Sequence, residues 1–278
     1  MSKFHTITGV ILTLNEEQDL ARALTSLAWC DELLVVDSGS IDRTQYIAEQ
    51  LGARYIQHIQ KPPFRITEQR NWALKQVGLK TEWVLFLDAD EEIGSDLKTA
   101  IQKCIKQPSG FDAYELTPRY WFLGKWLKRT QGYPNWHPRL LRSGSTQFTG
   151  GVWESFSSGT SVGRLSIPYE HYAFTKGLDD WLQRHQRYAE WDASEIYQFL
   201  LTRDPFAIST ARARKRRAVS ASLWRIKPLL RFTQKYFLQG GFLEGWQGLL
   251  FSLMMAWFDL MVLIKLIELR RKADGKRL

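Results

Sequence analysis

Four short apolar runs in the N-terminal third limit most tightly what this chain can fold into. They are TGVILTL (8–14), ELLVVD (32–37), RYIQHI (54–59) and EWVLFLD (82–88), and the segments between them carry helical spacing and helix-end signals. A β-α-β-α-β-α-β rhythm predicts an α/β fold with a mostly parallel sheet flanked by helices, because parallel neighbours can be joined only by a long crossover. Asn15 with Gln18 predicts a capping box opening the first helix, and Gly52 stands where the second should stop. In such sheets ligands bind beyond the carboxyl ends of the strands. Here those ends carry Asn15 and Glu16, Asp37 and Ser38, and Asp88 and Asp90.

The rest of the chain reads differently. Between residues 110 and 170 the aromatic-rich pieces YWFLGKWLKR, GYPNWHPRLLR and FTGGVWESF predict loops and short strands wrapped over the sheet edge, where a second substrate could be gripped. After YEHYAF (169–174) the pattern is helical to the end, which divides the chain into a catalytic part, 1–175, and a helical, basic, amphipathic part, 176–278. The net charge of +9 divides the same way: residues 1–100 hold ten Lys/Arg against fifteen Asp/Glu, and the remainder twenty-eight against fourteen. An apolar content of 44% supplies a core and excludes disorder. Cys30 and Cys104 stand far apart without ligand spacing, so neither a disulfide framework nor a zinc site is expected. The N-terminus reaches acidic residues too soon for a signal peptide, which places the chemistry in the cytosol.

Acid crowded at the end of an apolar strand needs something to offset its repulsion. In an extended segment Asp88 and Asp90 point to the same side, and paired carboxylates of that kind suit Mg²⁺ or Mn²⁺. The alternative is a helix N-terminus, where Asp, Glu and Ser95 are favourable caps. VVDSGSIDRT (35–44) is equally double: Asp37 can accept from a ligand N–H beside a Gly39 turn, or the segment is a strand-to-helix turn with Ser40 as cap.

Taken in order, VILTLNEE, VVDSGSIDRT, EQRNWAL and FLDADE resemble the nucleotide-sugar half of a family 2 glycosyltransferase of GT-A (Rossmann-like) fold, over roughly residues 5–175. WHPRLLRSGSTQFTGGVWESF is similar to the acceptor-side block of the branch that contains lipopolysaccharide-core β-glucosyltransferases. The resemblance implies an inverting transfer of a hexose, glucose first, from a UDP-sugar to a hydroxyl acceptor. It implies that Asn15, Glu16, Asp37, Ser38, Arg70, Asn71 and Asp88 bind the nucleotide sugar, and that Asp90 with Asp88 holds the metal. Glu154 is then the base that takes the acceptor proton, although Trp153 stands where the family commonly has His. His137, Arg139, Arg142 and His171 are candidates for phosphate or acceptor contacts. Asp112, Glu115 and His171 are the alternative bases if Glu154 is structural.

WQGLLFSLMMAWFDLMVLIKLI (246–267) is apolar over the length of a membrane span but contains Asp259. A carboxylate in hydrocarbon costs about 2.5 kcal/mol or more, so a packed or membrane-surface helix is expected instead. Nine basic and no acidic residues between Ala211 and Lys235 suit anionic headgroups. That places the chain at the inner face of the plasma membrane with a lipid-linked or glycolipid acceptor. A polyprenyl-phosphate sugar synthase shares the donor fold and stays open as the neighbouring reading. A non-catalytic basic protein binding membrane or nucleic acid is the reading from another class, and no nucleic-acid-binding signature accompanies the charge.

Overall fold

The computed structural model describes residues 6–61, 64–77, 81–106, 110–150, 154–204 and 221–277. They group into two compact units, Met1–Tyr120 with Tyr133–Thr175 and Trp121–Gly132 with Lys176–Leu278. The excursion Trp121–Gly132 thus belongs with the C-terminal helices, not with the residues that flank it in sequence.

In the first unit β1 (Ile7–Thr13), β2 (Glu32–Asp37), β3 (Arg54–Gln57) and β4 (Trp83–Asp88) lie parallel in the spatial order β4-β1-β2-β3. The crossovers are α1 (Leu20–Ser26), α2 (Thr44–Gln50) and α3 (Ile66–Val77), and α4 (Ser95–Lys106) follows β4 and the short β5 (Glu91–Glu92). Gly52, at a φ of 74°, ends α2 as expected. The capping box does not form: α1 starts at Leu20, and Asn15 takes a left-handed φ of 55°, which Asn tolerates because its short amide bonds locally.

Residues 110–170 do more than wrap an edge. The main sheet has seven strands, because β9 (His137–Arg142) inserts antiparallel between β4 and β6 (Ala113–Leu116), and β12 (Val162–Arg164) adds parallel to β6. Single-sequence periodicity misses this since HPRLLR is short, carries two arginines and has a proline at its second position. A hairpin of β10 (Phe148–Gly150) and β11 (Glu154–Phe156) stands apart from the sheet. β13 (Tyr169–His171) pairs with β5 and with Pro118–Tyr120 of β7 (Pro118–Phe122).

Strand period dictates which helix each side chain meets. On β4, Trp83, Leu85 and Leu87 pack with Leu20, Leu24, Leu97 and Ile101 of α1 and α4, whereas Val84 and Phe86 pack with Ala73 and Val77 of α3. Asp88 is the next residue on the α3 face. The acid that ends the strand therefore points at α3, and Arg70 sits on that helix.

In the second unit Trp121–Phe122 turns back on β8 (Lys125–Trp126). Glu244, buried, accepts from the backbone N–H groups of Arg129 (2.5 Å) and Thr130 (3.0 Å) and from the Thr130 hydroxyl (2.6 Å). The long α5 (Gly177–Thr202) packs on the terminal helix Gly245–Ala273 through Ala189, Ala193, Ile196 and Phe199 against Val262 and Leu266. Alanines at four-residue spacing let the two helices approach closely. Asp259, the anomaly of the apolar run, is buried: Lys227 Nζ lies 3.1 Å and Arg231 Nε 2.8 Å from its carboxylate. Asp259→Ala should strand Arg231, leave Lys227 only Asp192 at 4.0 Å, and destabilise this unit by about 2 kcal/mol, below the usual value for a fully buried pair because both partners retain some solvent. Hydrogen exchange across Ala189–Phe199 and Val262–Leu266 measures it.

Candidate active site

The ends of β1 and β2 are laced together. Asn15 Oδ1 accepts from Ile41 N (2.9 Å), Asn15 N donates to Ser40 Oγ (2.7 Å), and Glu16 N donates to Thr44 Oγ1 (2.8 Å). Asp37, fully buried, accepts from Thr13 Oγ1, Gly39 N, Ser40 N and Ser40 Oγ at 2.5–2.8 Å. Burial alone would raise its pKa, but the Ser40, Thr13 and Gly39 bonds outweigh that and hold the carboxyl below its ordinary value. Ser38 Oγ accepts from Gln69 of α3 (3.2 Å), and Gln69 also bonds His58 Nδ1 (2.7 Å) and the His58 carbonyl (3.0 Å). Arg43, not Ser40, stands at the N-cap of the second helix, and Asp42 just before it accepts from Thr44 N at 3.0 Å.

Beyond β4 the crowded acids meet two buried arginines. Asp88 Oδ1 lies 2.9 Å from Arg70 Nη2 and Oδ2 lies 2.8 Å from Arg139 Nη2; the latter also contacts Glu91 Oε1 at 2.6 Å. Glu91, wholly buried, accepts the Asp88 N–H through its other oxygen at 3.0 Å. Burial would raise the Asp88 carboxyl, yet Arg139 and Arg70 hold it well below the carboxylate range. Burial pushes Glu91 upward, only partly countered by Arg139. The side chain of Asp88 stays 36% exposed, so a ligand can still reach it.

Arg139 arrives by a β-bulge. Leu140 pairs with Tyr114 and Pro138 with Glu115, leaving Arg139 without a partner in β6. A bulge re-aims the extra side chain, and the missing Pro138 N–H removes a ladder bond there anyway. Strand β13 brings in His171, which sits opposite Glu91 with Nε2 3.5 Å from Asp90 Oδ2. Burial lowers His171, but Asp90, Glu91 and Asp88 together raise it above its ordinary value. His137, by contrast, is driven down to about 3 by desolvation and the nearby cations and is neutral.

Glu154 opens β11, and Oε1 lies 3.1 Å from Arg70 Nε in an ion-pair contact without hydrogen-bond alignment. Burial raises its carboxyl, and the opposing pull of Arg70 and Arg139 does not cancel the rise. The hairpin that carries it is stapled to α3. Asn71 brackets Phe148, accepting its N–H (2.8 Å) and donating to its carbonyl (2.9 Å), and Thr67 Oγ1 donates to the Gly150 carbonyl (3.0 Å). Thr67, Arg70 and Asn71 share one helix face at i, i+3 and i+4. Trp153 and Gly151 lie outside the described residues.

Asp88, Asp90, Arg70, Arg139, His137, His171 and Glu154 thus gather around the end of β4. Arg142 does not. Antiparallel β9 carries it to the opposite end, where it pairs in register with Trp83 and contacts Glu82 at 3.5 Å. Asp112 and Glu115 are also turned elsewhere, the first bonding Ser161 N and the second Arg164. Sequence reasoning overlooked Glu91, Gln69 and Thr67. Glu91 was legible only as one more acid in DADEE, and Gln69 and Thr67 only as polar residues on the inward face of a helix.

Among the described residues no three His, Cys, Asp or Glu side chains converge as a metal site. Asp90 with His171 beside it is the pair able to donate to a divalent ion. Mg²⁺ in phosphate sites takes one or two protein ligands and fills the rest with water and substrate oxygens, so two donors fit. Four carboxyl groups, Asp88, Asp90, Glu91 and Glu154, face two guanidinium groups and His171 here, and a cation bound at Asp90 would take the place of the proton these acids favour on His171.

Residues 8–167 match the glycosyl transferase family 2 model, more than half of the chain, and the chain belongs to that family. It is 38% identical over 97 residues to a protein of Rickettsia bellii described as an uncharacterized glycosyltransferase, covering 34% of this chain and 31% of that protein. It is 25% identical over 144 residues to the lipopolysaccharide core biosynthesis glycosyltransferase LpsC of Rhizobium meliloti, covering 51% and 53%. The match therefore spans about a third to a half of these curated relatives. Among solved structures, Mycobacterium tuberculosis glucosyl-3-phosphoglycerate synthase in complex with Mn²⁺, UDP and glucosyl-3-phosphoglycerate is 17% identical at a TM-score of 0.46, over 64% of this chain and 75% of that one. S. aureus TarS 1–349 is 16% identical at 0.45, over 98% and 92%. Both likenesses are distant.

Two outcomes follow from the geometry. Asn71→Ala should free the hairpin at a cost of about 1–3 kcal/mol for the unpaired Phe148 backbone groups, read as faster exchange of the Phe148 amide; Asn71→Asp, which keeps the acceptor, should fall between. His171 is raised in the folded chain, so its charge contributes stability that is complete below the ordinary value of 6.5 and lost as pH rises through the folded value. In metal-free buffer, wild type should lose denaturant resistance as pH rises above 6.5, and His171→Gln should lose that part while keeping the fall toward about 7 that raised Glu91 contributes.

Proposed function

We propose that the chain is a metal-dependent, inverting glycosyltransferase that moves a hexose, glucose first among candidates, from a UDP-sugar to a hydroxyl of a membrane-linked glycan or lipid at the cytoplasmic face. The observation that carries this is the sharing of Arg70: one guanidinium spans Asp88, at the strand end where donors bind, and Glu154, on the acceptor-side hairpin. A single side chain thus fixes the distance between the two halves of a transfer site.

In this reading the laced loops at Asn15, Glu16 and Ser38 form the nucleotide wall. Asp37 acts by building its turn, since its oxygens are already engaged by Thr13, Gly39 and Ser40. Asp90 with His171 would hold Mg²⁺ or Mn²⁺, which when bound neutralises the charge of the departing diphosphate. Asp88 is held by both arginines and orients the strand end. Glu154 takes the proton as the acceptor oxygen bonds to the anomeric carbon and UDP leaves with the electron pair of the broken bond. A carboxyl raised by burial suits that task near neutral pH. A buried carboxylate on the acceptor side favours a hydroxyl acceptor over a phosphate one, which needs little base. The likeness over half the chain to LpsC, named for lipopolysaccharide core biosynthesis, supports a glycolipid acceptor.

A thermal-shift and hydrolysis screen over nucleotide sugars, with and without Mn²⁺ or Mg²⁺, tests the class. Asp90→Asn should abolish metal-supported UDP binding while leaving the fold intact; undiminished binding removes the metal assignment. Glu154→Gln should keep UDP affinity and lose on the order of 10²–10⁴ in transfer rate at saturating substrates. Turnover within a few-fold of wild type would make Glu154 structural.

A further inference from the structure

The terminal helix has two opposed faces. At about 100° per residue, Trp246, Leu250, Leu253, Trp257, Leu260 and Ile264 fall within an arc of about 80°, and all six are exposed, by 38–61%. Gly248, Ser252, Asp259, Val262 and Leu266 fall on the opposite side and are buried. Only 28% of the most apolar 18-residue window is buried, so this is not the core helix of a globular unit. The stripe is about 27 Å long at 1.5 Å per residue. The preceding segment adds exposed Leu229, Phe237, Leu238 and Phe242.

Crossing a bilayer would require the opposite face to leave its partners. Asp259 would surrender Lys227 and Arg231, and Val262 and Leu266 would surrender α5. Lying flat requires nothing of the kind. The charge pattern selects the occupant: exposed Arg271 continues the line of the stripe, exposed Lys272 lies beside it and engages Glu268 at 2.7 Å, and Arg225 is exposed beside Trp224. Two copies of a chain of net charge +9 would bring like charges together, whereas anionic headgroups complement them. Trp246 and Trp257, with apolar rings and an N–H to satisfy, suit the headgroup boundary.

We propose that the terminal helix lies in the plane of an anionic bilayer, immersing the stripe from Trp246 to Ile264 while its other face remains packed on α5 and Lys227–Phe232, and does not cross the membrane. This deepens, and rests on, the membrane-acceptor reading above. The test uses the full chain with Cys30 and Cys104 replaced by serine and a fluorophore on Leu250→Cys, Trp257→Cys or Ile264→Cys. Each is bound to phosphatidylethanolamine–phosphatidylglycerol vesicles bearing nitroxides at graded depths. All three labels should be quenched alike by shallow nitroxides; a deep Trp257→Cys label between two shallow ones means a span and overturns the proposal.

In parallel, Leu253→Glu/Leu260→Glu should lower partition onto these vesicles by about tenfold or more, the loss of two apolar contacts and gain of two repelled charges. Leu253→Ser/Leu260→Ser repeats the measurement without added charge. Acceptor-independent UDP-sugar hydrolysis should be unchanged in both. Unaltered partition, or a change confined to oligomeric state, overturns the proposal. Absence of nucleotide-sugar hydrolysis in wild type with partition intact would sink the glycosyltransfer reading and leave the helix assignment standing.

Discussion

The ion-pair lattice at the end of β4 is the constraint on which the rest of this protein depends. A strand that ends in Asp88, Asp90 and Glu91 concentrates negative charge where the sheet is still dry, and desolvated like charges repel strongly. Arg70 and Arg139, both almost wholly buried, make the arrangement tolerable. Each comes from a different part of the chain: Arg70 from the crossover helix α3, Arg139 from a strand inserted antiparallel beside β4. Docking that strand is therefore not decoration of a parallel sheet. It delivers the second cation, and the bulge at Pro138–Arg139 aims it.

The same lattice joins site and scaffold. Arg70 reaches past Asp88 to Glu154, and its helix neighbours Thr67 and Asn71 grip the backbone of the hairpin that bears Glu154. One helix face thus sets the position of a carboxylate some eighty residues later in the chain. Buried ion pairs contribute little net stability, because desolvation offsets most of the attraction. Their value here is geometric: each oxygen of Asp88 has one partner, so the strand end has one arrangement. Asp90 is left to face His171.

The C-terminal unit solves a different problem with the same chemistry. Asp259 is placed in an apolar helix opposite its exposed stripe and is satisfied by Lys227 and Arg231. The carboxylate ties the helix to its protein neighbours, and the stripe stays free of charge. The helix is apolar on both sides, one packed on protein neighbours with Asp259 as its one charge and the other exposed.

The sequence by itself determined the parallel half of the sheet, the strand ends at Asn15, Asp37 and Asp88, the stop at Gly52 and the family, because strand period, turn residues and ordered motifs are local properties. It also identified the acids as needing a counter-charge, and placed Asp259 as incompatible with a simple span. Only the tertiary structure decided what the counter-charge is. Whether Arg139 or Arg142 reaches the site depends on the direction of β9 and on one bulge. His171 depends on the register of β13 against β5, and Glu91 on burial that no spacing reveals. Asn15, read as a cap, turned out to bridge two loops because its partner Ile41 lies across the β1–β2 junction. These are long-range pairings, and a one-residue change of register would send the same side chains to the other face.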